Sequence, residues 1–343
     1  MPYTIKSSEK TRKSGSDCET KALLYLMNFR KDSDEIHYFV VDFFNDLTGM
    51  DRYSENLWDV QSKAVKNNSP NAIGRELVTL FKNFVSDIDF KTYILFLGGV
   101  SSTVRIDDKL STFGIDNVSL KSKEKIINGL KDEATKKRYV QNDYINDDNI
   151  NEFLNKVLFV IDDKRPSDYV KEIIKNHPNI IPEENMLDAI FNEIRNEQAA
   201  KKNTIVEGIT IQTTDEALNY CRHLTNNEIR LLTLNRIISR NPVEKNNIPL
   251  SFVSIYNSWP PEHNRDMLDD CVQSLCRALF NKNAAAEFWN LFENIYSILV
   301  ENPKYSVQDV YNAIDPSVRR ASPDFDTISL KYFIAHIKDG IEK

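Results

Sequence analysis

Residues 42–63 hold five side chains able to do chemistry together: Asp42, Asp46, Asp59, Gln61 and Lys63. They lie in "VVDFFND" and, about ten residues on, in "NLWDVQSKAV". Alternate residues of a strand point the same way. A strand over 56–65 therefore puts Leu57, Asp59, Gln61, Lys63 and Val65 on one face, and Trp58, Val60, Ser62 and Ala64 on the other. The Trp-Val face suits a core. The opposite face lines up an acid, an amide and an amine. If residues 36–46 are also extended, Tyr38, Val40, Asp42, Phe44 and Asp46 share a face that turns acidic toward its end. A hairpin would then bring Asp46, or Asp42, to Gln61 and Lys63 at the edge of a sheet. Carboxylate and amide oxygens suit a hard cation such as Mg²⁺. The cation would lower the pKa of a bound water and stabilise charge on a phosphoryl oxygen. A lysine two residues from a ligand can offset the developing charge. Together these describe phosphodiester hydrolysis. The bland alternative is the polar face of a solvated strand.

The elements around these residues decide between the two. "CETKALLYLMNFR" reads as a helix starting near Asp17, with Ala22, Leu23, Leu26 and Met27 on one side. "EIHYFVVDFF" reads as a strand, "NDLTGMDRYSE" as a turn, and "NLWDVQSKAV" as the next strand. In "SPNAIGRELVTLFKNFVSD", Ser69 is placed to cap a helix with Pro70 at its first position. Ile73, Leu77, Leu80, Phe81 and Phe84 then recur at helical spacing. "FKTYILFLGG" is an apolar strand ending in Gly98-Gly99, with no phosphate-binding glycine motif after it. The first hundred residues thus read helix, strand, strand, helix, strand. "SKEKIINGLKDEATKKRYV" is helical, "INEFLNKVLFVIDD" mixes helix and strand character, and from Ser167 nearly everything is helical. Thr213 with Glu216, and Thr225 with Glu228, have capping-box spacing.

This arrangement resembles the PD-(D/E)XK nuclease superfamily. There an acidic residue ends one strand, an acid-x-lysine motif lies on the next, and a helix and another strand follow. Gln61-Ser62-Lys63 departs from the pattern by placing Gln where the acid stands, which weakens the implied metal site by one carboxylate. "DFFNDLTG" with "LWDVQSKAV" is similar, more closely, to the nuclease domain of CBASS Cap-family effectors and of the nuclease subunit of Lamassu anti-phage systems. The resemblance covers roughly residues 13–100. It implies Asp46, Gln61 and Lys63 as catalytic residues. It implies Mg²⁺ or Mn²⁺ held by Asp46 and Gln61, with Asp42, Asp59 and, from the first helix, Glu19 as further carboxylates. It also implies duplex DNA as substrate, control through an SMC-like ATPase and a small accessory subunit, and a homo-oligomer when active. A non-catalytic interaction subunit and a nuclease switched on by a cyclic oligonucleotide are the alternatives.

Composition bounds the rest. A chain of 343 residues is long enough for two domains. The expected fold class is α+β: a restriction-endonuclease-like domain over 1–150, then a mostly helical domain over 151–343 for partner binding or oligomerisation. The net charge of −7 is uneven. Residues 1–140 carry 22 Lys and Arg against 20 Asp and Glu; the remainder carries 22 against 31. Two basic clusters stand out, one of Lys6, Lys10, Arg12 and Lys13, the other from Lys121 to Arg138. Either can attract phosphates locally or be a solvated helix face. Four cysteines at 18, 221, 271 and 276 form no CxxC pair. The five histidines lie apart from any nucleophile motif. No apolar run reaches membrane-span length, and the N-terminus lacks the apolar stretch of a signal peptide. The expectation is a cytoplasmic protein.

Overall fold

The computed structural model describes residues 3–5, 13–177, 180, 182–203, 205–244 and 247–341. Lys6, Lys10 and Arg12 of the first basic cluster lie outside them. The elements in chain order are β1 (Tyr3–Thr4), α1 (Lys13–Asn28), β2 (Tyr38–Val41), β3 (Leu47–Met50), β4 (Leu57–Lys63), α2 (Pro70–Glu76), α3 (Val78–Phe84), β5 (Thr92–Leu97), β6 (Thr112–Phe113), α4 (Leu120–Ala134), α5 (Asp147–Lys156) and β7 (Val157–Ile161). They continue with α6 (Pro166–Ile173), α7 (Glu184–Ala200), β8 (Thr210–Ile211), β9 (His223–Thr225), α8 (Asn226–Ile237), α9 (Val253–Asn257), α10 (Asn264–Phe280), α11 (Ala285–Glu301), α12 (Val307–Ala313), α13 (Pro316–Arg320) and α14 (Thr327–Ile341). The protein is mixed α+β with a helical C-terminal half.

Seven strands form one sheet in the order β6-β7-β5-β4-β3-β2-β9. β2, β3 and β4 make an antiparallel meander; β5 and β7 run parallel to β4. β4 is therefore central and buried on both faces, not the half-solvated edge strand that its polar alternation suggests. One face of β4 and β5, with Leu57, Tyr93, Leu95 and Leu97, joins Ile73, Leu77, Leu80 and Phe81 of α2 and α3 in a common core. α1 packs against β3, β4 and β5, and the ring of Tyr25 meets that of Phe96.

Two expectations about residues 36–56 need correction. The strand does not run to Asp46. It stops at Val41, because Asp42 takes a left-handed conformation (φ 51°) and its N–H closes a turn onto the carbonyl of Asp46, 3.0 Å away. Asp is among the few residues that tolerate this region. The supposed turn "LTGM" is a strand instead. Its glycine misleads: a Cβ on Gly49 would lie 3.2 Å from Ile36 Cγ2 and 3.3 Å from Leu26 Cδ1, so the position is a tight packing site within the sheet. Asp46 thus precedes β3 rather than ending the strand before it.

The other elements follow their local signals. Ser69 accepts a bond from the Ala72 N–H and Pro70 opens α2. The expected single helix is two, joined at Leu77. "INEFLNKVLFVIDD" resolves into the end of α5 followed by β7. Glu216 accepts from the Thr213 N–H at 3.2 Å, although the element it starts is a 3-10 helix.

The chain divides into two compact units: Met1–Tyr169 with Phe191–Asn226, and Val170–Ile190 with Asn227–Lys343. A cut at residue 150 would remove β7 and β9 from the sheet they complete, so the division differs from one at 150. The second unit is helical around its own core, in which Trp289, Phe292 and Phe333 are fully buried. Among the described residues no helix is long and apolar enough to cross a membrane.

Candidate functional site

The turn before β3 and the last residues of β4 meet where the antiparallel meander passes into the parallel half of the sheet. Leu47 pairs with Val60, which sets Asp46 beside Gln61 and Ser62. The Asp46 carboxylate accepts three bonds, all on Oδ2: from Gln61 Nε2 (2.8 Å), from the Ser62 backbone N–H (2.9 Å) and from Ser62 Oγ (3.1 Å). Gln61 is held at its other end as well, its Oε1 accepting from Thr79 Oγ1 of α3 at 2.7 Å. Lys63 reaches Glu76 at the end of α2, with 3.3 Å between Nζ and Oε2.

All of these groups except Ser62 line one cavity of about 530 Å³. Asp42, Asp46, Gln61 and Lys63 all border it, and so do Arg75, Thr79, Lys82 and Lys137. Four of the six residues singled out from the sequence therefore share a wall. Asp59 does not. Its alternation with Gln61 is real, but its side chain is fully buried beneath α3, with Oδ2 accepting from Asn83 Nδ2 at 2.7 Å. Asn83 in turn accepts from the hydroxyl of Tyr3 at 2.9 Å, a hydroxyl that Lys82 Nζ also reaches at 2.7 Å. Glu19 is buried on α1, off the cavity wall, and pairs with Lys202 at 2.7 Å. Asp42 forms an ion pair with Arg222 at 3.7 Å.

Buried acid at close quarters shapes the electrostatics. Burial pushes the Glu19 carboxyl up to about 7; Lys202 opposes the shift, and Asp46 and Asp42 add to it. Burial likewise raises Asp46, against the pull of the Ser62 N–H and the Lys63 ammonium. Asp59 is raised by burial against its bond from Asn83. Carboxyls held above their usual range by burial and by one another are stabilised by a nearby cation.

Whether the residues suit a metal ion turns on Gln61. Among the described residues no three or more His, Cys, Asp or Glu side chains are grouped as a metal site. The donors present are of the oxygen type that Mg²⁺ takes. Gln61, however, shows its N–H, not its carbonyl, to Asp46. An ion shared by Asp46 and Gln61 requires that amide to turn end for end. Thr79 permits the turn, because a hydroxyl can accept from the amide as readily as donate to it. The donor set fits on that condition.

Ser62, Thr79, Glu76 and Lys202 were not foreseen. Ser62 acts through its backbone N–H as well as its hydroxyl, and the other three arrive by tertiary contact, so no spacing in the sequence marks them. No protein-family model, no curated protein and no solved structure matches the chain.

Proposed function

We propose that this chain is a metal-dependent double-stranded DNA endonuclease and the effector of a prokaryotic anti-phage defence system. The observation that supports the reading is the convergence, in one cavity, of Asp46 before β3 with Gln61 and Lys63 at the end of β4. Asp46 and the turned Gln61 would hold Mg²⁺ or Mn²⁺, with Asp42 on the same wall. Bound there, the ion would supply Lewis-acid stabilisation of a phosphoryl oxygen and a more acidic water. Lys63 orients the attacking water or meets the developing charge. Its ion pair with Glu76 is partly exposed and weak enough to be exchanged. Arg75, Lys82 and Lys137 stand on the same wall as contacts for individual phosphates, beside Glu76, Glu133 and Glu207 and with Lys137 paired to Glu133 at 3.0 Å. Control by an SMC-like ATPase and an accessory subunit, assembly into a homo-oligomer and a cytoplasmic location rest on the family resemblance alone.

The test is cleavage of duplex DNA by the purified protein with Mg²⁺ or Mn²⁺, alone and with its partner subunits. Lys63→Ala is expected to lower the rate about 100- to 1,000-fold with an unchanged melting temperature. Equal cutting by wild type and variant would reject the site.

One observation favours a second reading, that of a non-catalytic interaction subunit. Asp46 Oδ2 is already occupied by three of the chain's own donors, as in a purely structural carboxylate. Titration with Mn²⁺, followed by calorimetry, separates the two. Millimolar Mn²⁺ that neither binds nor shifts the melting temperature would favour the interaction subunit.

A further inference from the structure

Gly98-Gly99, which follows no nucleotide-binding pattern, has a structural task at the end of β5. A Cβ on Gly98 would lie 2.5 Å from the Ala64 carbonyl oxygen, and one on Gly99 would lie 2.1 Å from that of Lys66. The missing side chains let residues 64–66, just past β4, lie directly on β5. Further bonds lock this contact. Gly98 N–H donates to the Lys63 carbonyl (2.8 Å), and Asn68 Nδ2 donates to the carbonyls of Val65 (2.8 Å) and Gly99 (2.9 Å). The backbone that carries Lys66 is therefore fixed to the same strand end as Lys63.

A second cavity, of about 360 Å³, opens at this place. Ala64, Lys66, Gly98, Lys164 and Arg165 border it, and none of them borders the Asp46 cavity. Three carboxylates also stand on its wall, and each already has a cation: Asp162 meets Lys21 at 2.7 Å, Asp17 meets Arg195 at 2.7 Å, and Asp163 meets Lys164 at 3.5 Å. Lys66 is exposed, and among the described residues no carboxylate lies within 4.0 Å of its ammonium.

We infer that this second cavity is a subsite for a non-scissile phosphate of the nucleic-acid strand whose reacting phosphate lies at Lys63. The inference rests on the endonuclease reading above. Three residues of extended chain span at most about 10 Å, so Lys63 and Lys66 can touch phosphates a few nucleotides apart on one strand. Lys66 is the contact without a carboxylate of its own, and the half-buried Lys164 and the exposed Arg165, in loose ion pairs with Asp163 (3.5 Å) and Asp168 (3.3 Å), exchange those partners for the phosphate from just past β7. Contacts of this kind set register and affinity without reading sequence.

Binding of fluorescent duplex DNA to the full chain, in EDTA so that nothing is cut, tests the inference across a salt series. Relative to wild type, the Lys66→Ala/Lys164→Ala/Arg165→Ala variant should bind at least about tenfold more weakly. Its slope of log affinity against log salt should be shallower by about two to three. The single Lys66→Glu variant, altered only at an exposed side chain, should weaken binding several-fold and guards against a triple variant that fails to fold. Wild-type affinity and slope in a folded variant would overturn the subsite and leave the endonuclease reading standing. A wild-type chain that neither binds duplex DNA at low salt nor cuts it with Mn²⁺ would overturn both.

Discussion

Glu19 shows how a single carboxyl ties the site to stability. Its folded pKa is about 7, against an ordinary value of 4.5. Below pH 4.5 the group is protonated in both states. Between 4.5 and 7 the folded chain keeps a proton that the unfolded chain has lost, so folding stability falls as pH rises through this window. Well above 7 the cost is complete, on the order of 3 kcal/mol. Asp46 and Asp59 are raised too and add slope of the same sign. Glu19→Gln should therefore flatten, but not abolish, the decline in denaturant-derived stability between pH 4.5 and 7. An unchanged profile in the variant would show that the Glu19 carboxyl is not held in its protonated form. At this scale the sequence was legible only where neighbours are close along the chain. Alternation put Asp59, Gln61 and Lys63 on one face correctly. It could not tell that α3 would bury Asp59 against Asn83 while leaving Lys63 at the rim.

The elements that carry the site depend on how closely helices approach. A Cβ on Gly74 of α2 would lie 2.1 Å from the Ile126 carbonyl oxygen of α4, and one on Gly129 of α4 would lie 2.3 Å from that of Asn71. The contact is reciprocal, backbone against backbone, and neither partner is a flexible side-chain end that could move aside. Gly74→Ala gains helix propensity but must push α2 from α4. A net loss of about 1–3 kcal/mol is expected, read as a lower urea midpoint at unchanged slope. A midpoint equal to the wild type's would mean that the two helices can separate without cost. Glycine also explains which elements could be read in advance. α2 and β5 announce themselves through Ser69, Pro70 and an unbroken apolar run. β3 does not, because Gly49 stands in a strand for the sake of Ile36 and Leu26, and in sequence looks like part of a turn. The path of β4 between β3 and β5, rather than at an edge, follows from β5 pairing in parallel after a helical crossover.

At the scale of the whole chain, the order of residues is not the order of folding units. β9 (His223–Thr225) pairs with β2, Leu224 opposite Phe39, across some 185 positions of sequence. β8 pairs with β1, Ile211 opposite Tyr3, and Tyr3 is the residue whose hydroxyl meets Lys82 and Asn83 under the site. Such non-local pairings leave no trace in local periodicity, which is why a boundary near 150 looked sufficient: helical patterns dominate from there on. The consequence is measurable. A chain truncated to 1–150 lacks β7, β8 and β9. The loss of β7 leaves β5, a strand buried on both faces, as an open edge, with its row of backbone donors and acceptors unpaired. A chain of 1–226 keeps all seven strands together with Arg195, Lys202 and Arg222, which hold Asp17, Glu19 and Asp42. The 1–226 chain is expected to show a cooperative melt and dispersed amide resonances, and the 1–150 chain to aggregate or remain unfolded. A cooperative melt from 1–150 would show instead that β2 to β5 with their helices are a self-sufficient core, and that the returning segment 191–226 is an addition to the site rather than part of its frame.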